Sequence, residues 1–179
     1  MKKDTTRYQG RYLSLVERDG WEFTTRPNAH AVAVLVATTQ DHCLLLVEQF
    51  RKPVNAKVLE LPAGLVGDQD DPNEPILEAA GRELIEETGY QAEKLEMMIQ
   101  CPSSAGMTDE IISFVRASGL KKVGPGGGDE SEDIEVHAIP LDKADDWLKQ
   151  RAIDGKPLDP KIYAALHWLN TTEPRMQTL

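Results

Sequence analysis

Glu83, Glu86 and Glu87 sit together in the run EPILEAAGRELIEETGY, residues 74–90. Residues three and four apart on a helix share a face, so Glu83 and Glu87 point the same way with Glu86 beside them. Carboxylates held that close repel one another unless something compensates. Arg82, four residues from both Glu78 and Glu86, relieves part of that repulsion. Hard oxygen ligands in such a group suit Mg²⁺, which binds through one or two carboxylates and substrate phosphates while keeping several waters. The chemistry indicated is metal-assisted cleavage of a phosphoanhydride, in which the cation polarises phosphoryl oxygens and a free carboxylate acts as base. An isolated Glu-Glu pair is more often a solvated helix face. Here the acids continue, with Glu74 just before and Asp109, Glu110, Asp129, Glu130, Glu132 and Asp133 later.

The elements that must position these acids are readable from periodicity. Pro75 suits the first position of a helix over 75–88, and Gly89 suits a left-handed cap at its end. Ile76, Ala80 and Leu84 form an apolar row that buries against a sheet. Residues 8–26 alternate around Asp19-Gly20 and predict an antiparallel hairpin. Strands are expected at 31–37, 43–50, 58–65 (VLELPAGL), 95–100, 110–117 and 133–140, and helices at 141–151 and 159–170. Together these predict an α/β (α+β) fold, a mixed β-sheet sandwiched between helices, with an N-terminal antiparallel hairpin. The glycine run in GPGGGDESED is either a mobile loop over a site or a slack connector. It lacks the GK[ST] ending of a phosphate-binding P-loop.

The 179 residues fit one domain with a small addition, expected as a hairpin subdomain over 1–29 and a main domain over 30–179. A formal net charge of −10 argues against nucleic acid as the main partner. It leaves room for a small anion, because a divalent cation reverses the local sign. Cys43 and Cys101 read as reduced thiols. The start of the chain, MKKDTTRYQG, has no apolar run, and no stretch approaches the ~18 apolar residues of a membrane helix. A cytoplasmic protein without a membrane partner is expected. His30, His42, His137 and His167 show no ligand spacing.

On these residues the chain resembles the Nudix hydrolases, whose box reads G-x5-E-x7-R-E-U-x-E-E-x-G-U, with U bulky and apolar. Glu74, seven intervening residues, and then Arg82-Glu83-Leu84-Ile85-Glu86-Glu87-Thr88-Gly89-Tyr90 match every later position. The leading glycine is Gly64, with nine rather than five residues between it and Glu74, so GDQDDPN carries a four-residue insertion. Over residues 21–170 the chain is similar to the ADP-ribose pyrophosphatase branch. The similarity runs through a hairpin ending in Arg26, then VEQFR, ELPAG, the box, SSAGMTDE, DESEDIEV and KIYAALHWL.

The resemblance implies Mg²⁺, with Mn²⁺ able to substitute, held by Glu83, Glu87, Glu132 and the backbone carbonyl of Ala63. It implies Glu130 as the base and Glu86 as a further ligand or bridge. Glu130 and Glu132 are one residue apart, and a shift of register exchanges their roles. Arg51 would contact the diphosphate, Glu60 would support the site, and Glu110 would lie near the metal or terminal ribose. Arg26 ends the hairpin on the substrate side, and Arg82 would tether the glutamates. The hairpin would build a homodimer and offer an aromatic face, Trp21 or Phe23, to a nucleobase. Ser104-Ala105-Gly106 stands where many ADP-ribose hydrolases carry Ser-Pro-Gly, which leaves the sugar nucleotide open. The expected substrate is a nucleoside diphosphate sugar. A dinucleotide, or ADP-ribose binding without cleavage, are the alternatives.

Overall fold

A computed structural model describes residues 4–27, 31–67, 71, 73–128 and 132–171. Strands β1 (Thr5–Gln9), β2 (Ser14–Arg18) and β3 (Trp21–Thr25) form an antiparallel sheet of their own. Asp19 and Gly20, with φ of 54° and 81°, join β2 to β3. Two positive φ values in a two-residue loop match the twist of the flanking strands. The predicted hairpin is therefore present, and β1 adds a third strand. Every residue of β1 is exposed, so it carries no apolar alternation by which a sequence could announce it.

The main body places strands between helices. β4 (Ala31–Ala37) runs parallel to β10 (Ile111–Ser118), flanked by β7 (Ala63–Leu65) and β9 (Lys94–Pro102) in the order β7-β4-β10-β9. A second, antiparallel sheet sets β5 (Cys43–Arg51) between β6 (Ala56–Glu60) and β12 (Ile134–Pro140). Helix α1 (Ile76–Thr88) packs through Ala80 and Leu84 against Ala33, Leu35 and Leu45. On the other side, α2 (Ala144–Ile153) and α3 (Lys161–Asn170) bring Leu148 and Ile162 to Val34, Leu46 and Phe114. β4 is thus buried on both faces, which is why AVAVLVA has no polar alternation. Among the described residues no helix is long and apolar enough to cross a membrane.

The single strand expected over 58–65 is broken. Pro62 has no amide hydrogen to continue a ladder, and the chain changes sheets there. Glu60 pairs opposite Val47 in one sheet, and Ala63 opposite Val34 in the other. The Pro62 carbonyl accepts the Leu35 amide at 2.8 Å. This crossing brings Glu60 and the Ala63-Gly64 pair to the same end of the molecule. Helix α1 starts at Ile76, one residue later than predicted, with Pro75 at the position before it. It ends at Gly89, whose φ is 70°.

Candidate active site

The α1 acids are fixed by β7 and by Arg82. Gly64 lies so near Glu83 that a Cβ there would fall 1.9 Å from the carboxyl carbon. Arg82 grips the cluster as well. Its Nη1 donates to Glu83 Oε1 at 2.7 Å and to Glu86 Oε2 at 3.1 Å, and its Nε donates to Glu74 Oε1 at 3.0 Å. Arg82 Nη2 also donates to the Leu65 carbonyl at 3.3 Å, tying α1 to β7. The hydrogen bond to Glu74 raises the guanidinium further above its ordinary value, and the same bond lowers the Glu74 carboxyl. Glu86 is the outward member of the set, engaged by Arg82 and otherwise exposed.

Glu87 is the buried member, only 3% exposed. Its Oε2 accepts the Ala63 amide at 2.9 Å. Burial pushes its carboxyl up to about 8. Glu83 and Glu132 add to that rise, while the Ala63 amide and the Arg51 guanidinium oppose it. Glu83, Glu87 and Glu132 therefore share one electrostatic environment, reached by Arg51 as well. Three carboxylates with one nearby guanidinium form a donor set suited to a hard divalent cation. Glu130 lies outside the described residues.

The glycine run is tied down rather than slack. The Gly127 amide donates to the Glu87 carbonyl at 2.8 Å, and the Gly128 amide to the Glu86 carbonyl at 3.0 Å. These carbonyls belong to the last turn of α1, which has no intrahelical donors for them. Gly126, at φ 72°, passes so close that a Cβ would stand 2.5 Å from the Thr88 carbonyl carbon. Gly128, at φ 81°, leaves room for Glu132, whose Cβ would be 2.7 Å from a Cβ placed there. Short strands β8 (Tyr90–Gln91) and β11 (Lys121–Lys122) pair just before this segment. The glycines thus run from the C-terminus of α1 to the acidic segment.

A cavity of about 410 Å³ opens beside the acids, lined in part by Ala63 and Gly64. Its charged walls are Arg26, Arg51, Glu60, Glu110, Asp159 and Lys161. Arg51 Nη2 donates to Glu60 Oε2 at 2.5 Å, and its Nε lies 3.0 Å from both carboxylate oxygens. Burial alone would lower the Arg51 guanidinium, but the hydrogen bond and charge of Glu60 outweigh it and hold it raised. Arg26 Nε is 3.9 Å from Glu110 Oε2. Arg26, Arg51, Glu60 and Glu110, all named from sequence, therefore meet in one cavity. Asp159 and Lys161 were not named. About a hundred residues separate them from Glu60 in the sequence, and Asp159-Pro160 signals only the start of a helix.

A shallower hollow of about 340 Å³ lies against the N-terminal sheet, walled by Arg18, Trp21, Phe23, Ala105, Thr108 and Asp109. Trp21 and Phe23 alternate along β3, so they share a face. Trp21 Nε1 donates to the Gly106 carbonyl at 3.2 Å, and the Thr24 amide to the Met107 carbonyl at 2.8 Å. The sheet is thereby pinned to residues 103–110, which border both depressions. Trp21 remains 64% exposed.

Among the described residues, Glu48, Glu135 and His137 bring three ligand atoms within 4.8 Å of one another. Glu48 is in phase with Leu44 and Leu46, which face α2 rather than α1. Lys156 already engages it at 2.5 Å. His137 stands 5.6 Å from the Trp147 ring, in keeping with a packing role. This group is separate from the α1 acids.

A family model described as the NUDIX domain matches residues 27–165. An ADP-ribose pyrophosphatase of Bacillus subtilis strain 168 is 35% identical over 144 residues, covering 80% of this chain and 73% of that protein. A methanol dehydrogenase activator of Bacillus methanolicus is 37% identical over 153 residues, covering 85% and 77%. A GDP-mannose pyrophosphatase of Yersinia enterocolitica is 34% identical over 149 residues, covering 78% and 75%. A crystal structure of an ADP compounds hydrolase superposes with a TM-score of 0.73 at 21% identity, over 93% of this chain and 89% of that one. At that identity the superposition speaks for the fold.

Proposed function

Since the chain belongs to the Nudix family of hydrolases, we propose that it splits the diphosphate of nucleoside diphosphate sugars into a nucleoside monophosphate and a sugar phosphate. The observation that carries this is the Glu60–Gly64 crossing. It sets the Arg51–Glu60 pair in the wall of a cavity whose Ala63 and Gly64 in turn touch Glu87 and Glu83 of α1. Named relatives acting on ADP-ribose and GDP-mannose support the same substrate class.

In this reading Glu83, Glu87, Glu132 and the Ala63 carbonyl hold Mg²⁺, with Mn²⁺ able to replace it. A divalent cation bound there neutralises the diphosphate and polarises its phosphoryl oxygens. Arg51, fixed by Glu60, presents its guanidinium to the diphosphate, and Arg26 adds a second positive group. Arg82 keeps the glutamates in place. Glu130 is proposed as base and Glu86 as a bridge, on the resemblance of their motifs to the family pattern. Trp21 and Phe23 offer the nucleobase an apolar face with the Arg18 guanidinium 5.0 Å from the Phe23 ring. The division into a hairpin unit over 1–29 and a catalytic unit over 30–179, a homodimer through the hairpin and a cytoplasmic location belong to the same proposal. The separate sheet β1–β3 supports the first, and the unpaired Cys43 and Cys101 fit the last.

A dinucleotide fits less well. Its second base would need a stacking surface, whereas the cavity beside the acids is walled by charge and aliphatic groups. The presence of Glu83, Glu86 and Glu87 together opposes a binding-only module. The test is a panel of ADP-ribose, ADP-glucose, GDP-mannose and NADH with Mg²⁺, scored by nucleotide product. Release of nucleoside monophosphate from a sugar nucleotide supports the proposal. Absence of cleavage with both Mg²⁺ and Mn²⁺ overturns it.

A further inference from the structure

Asp159 and Lys161 line the same cavity as Arg51 and Glu60, and the hydrolysis outlined above employs neither. Their place is set by the backbone. The Leu59 amide donates to the Pro157 carbonyl at 3.0 Å, and the Leu59 carbonyl accepts the Asp159 amide at 2.9 Å. Leu158 stands opposite Leu59 in a parallel bridge. Residues 157–159 therefore run along β6 as a short extension, beside the strand that ends in Glu60. Asp159 Oδ1 then accepts the Lys161 amide at 2.8 Å, while Oδ2 takes the Lys161 ammonium. The pair is held at the cavity wall with side chains 15% and 29% exposed.

The chemistry of this pair differs from that of Arg51. A phosphate offers acceptors alone, and the Asp159 carboxylate would repel it. A hydroxyl both donates and accepts, so it matches a carboxylate and an ammonium lying side by side. Lysine carries three rotatable donors, and Asp159 occupies one of them. The aromatic side chains Trp21 and Phe23 line the other hollow, so a base has its surface there. Residues 103–110 connect the two depressions, with Arg26 and Arg51 on the cavity side. We propose that Asp159 and Lys161 form the subsite for the sugar beyond the diphosphate and bind its hydroxyls, making them specificity-determining residues. This rests on the proposed hydrolysis of nucleoside diphosphate sugars.

The experiment compares wild type, Lys161→Met and Asp159→Asn on two substrates with Mg²⁺. One is ADP-ribose. The other is the methyl ester of ADP, which keeps the nucleoside and diphosphate diester but replaces the sugar with a methyl group. Charged hydrogen bonds of this kind change binding by about tenfold to a hundredfold. KM for ADP-ribose should rise by that factor in both variants, with kcat within about threefold of wild type and both parameters for the methyl ester unchanged. Lys161→Gln, which restores a donor, should recover part of the loss, and it serves as the working variant if Lys161→Met melts early. An unchanged KM for ADP-ribose overturns the subsite while leaving the proposed function standing. An equal rise on both substrates also overturns it, because it marks a diphosphate contact or a distorted cavity. If wild type cleaves neither substrate, the proposed function fails and the subsite fails with it.

Discussion

Glu83 folds its carboxyl group onto Gly64, at a distance that leaves no room for a side chain: a Cβ would meet the carboxyl carbon at 1.9 Å. The helix and β7 are thus matched at one point, where a backbone without a side chain meets an acid of the site. Gly64→Ala should displace Glu83 while leaving the Ala80 and Leu84 packing of α1 intact. A displacement of about 1 Å in a catalytic group lowers turnover by about a hundredfold. Kinetics on the favoured sugar nucleotide, with thermal melting alongside, check this; normal kcat with Glu83 undisturbed would contradict it.

The burial of Glu87 gives a pH dependence of defined sign. Its folded value, about 8, lies above the ordinary 4.5. The metal-free folded state therefore holds a proton that the unfolded chain releases across that interval. Stability from this group is fully present below about 4.5 and is lost as pH rises through about 8. Metal-free protein should melt at progressively lower temperature over that range, and Glu87→Gln should flatten the trend. A cation at Glu87 must displace the proton, so the calorimetric heat of Mg²⁺ binding near neutral pH should vary with the ionisation enthalpy of the buffer that takes up that proton.

Arg51 and Glu60 form a bidentate pair, which a lysine cannot reproduce. Arg51→Lys should lower kcat/KM for sugar nucleotides by about tenfold to a hundredfold, most of it shared by all diphosphate substrates. Equal loss on ADP-ribose and on the methyl ester of ADP is the expected signature.

Gly126 combines a left-handed φ of 72° with a Cβ approach of 2.5 Å to Thr88. Gly126→Ala should strain the strap that joins α1 to the acidic segment, destabilising the fold by about 1–3 kcal/mol. If the strap also registers Glu132, half-saturation by Mg²⁺ should move to higher concentration. A drop in melting temperature with unchanged Mg²⁺ dependence would limit the strap to a structural role.

Periodicity carried the strands around the core and the helix with its acids, because burial on one or both faces leaves a mark in residue order. The packing row of Ala80 and Leu84 against Leu35 is of this kind. The change of sheets at Pro62 was hidden, since VLELPAGL reads as one apolar stretch and the deciding event is a missing amide. Asp159 and Lys161 were hidden for a different reason. Backbone bonds to Leu59 bring them to the cavity, and no local pattern records a contact across that sequence distance. The glycines of residues 124–128 were visible as freedom of φ. Their use, answering the last carbonyls of α1, depends on where the chain returns.

Glu87 bears most directly on the account, because it joins burial, the Ala63 amide and the acids in one side chain. The decisive measurement is nucleoside monophosphate release from ADP-ribose as Mg²⁺ is titrated into wild type and Glu87→Gln. Release by wild type should be absent without a divalent cation and rise with Mg²⁺, and Glu87→Gln should fall by about a hundredfold or more at saturating Mg²⁺. Wild-type turnover in Glu87→Gln, or full activity in wild type stripped of divalent cations, would contradict the assignment of α1 as the metal-holding helix.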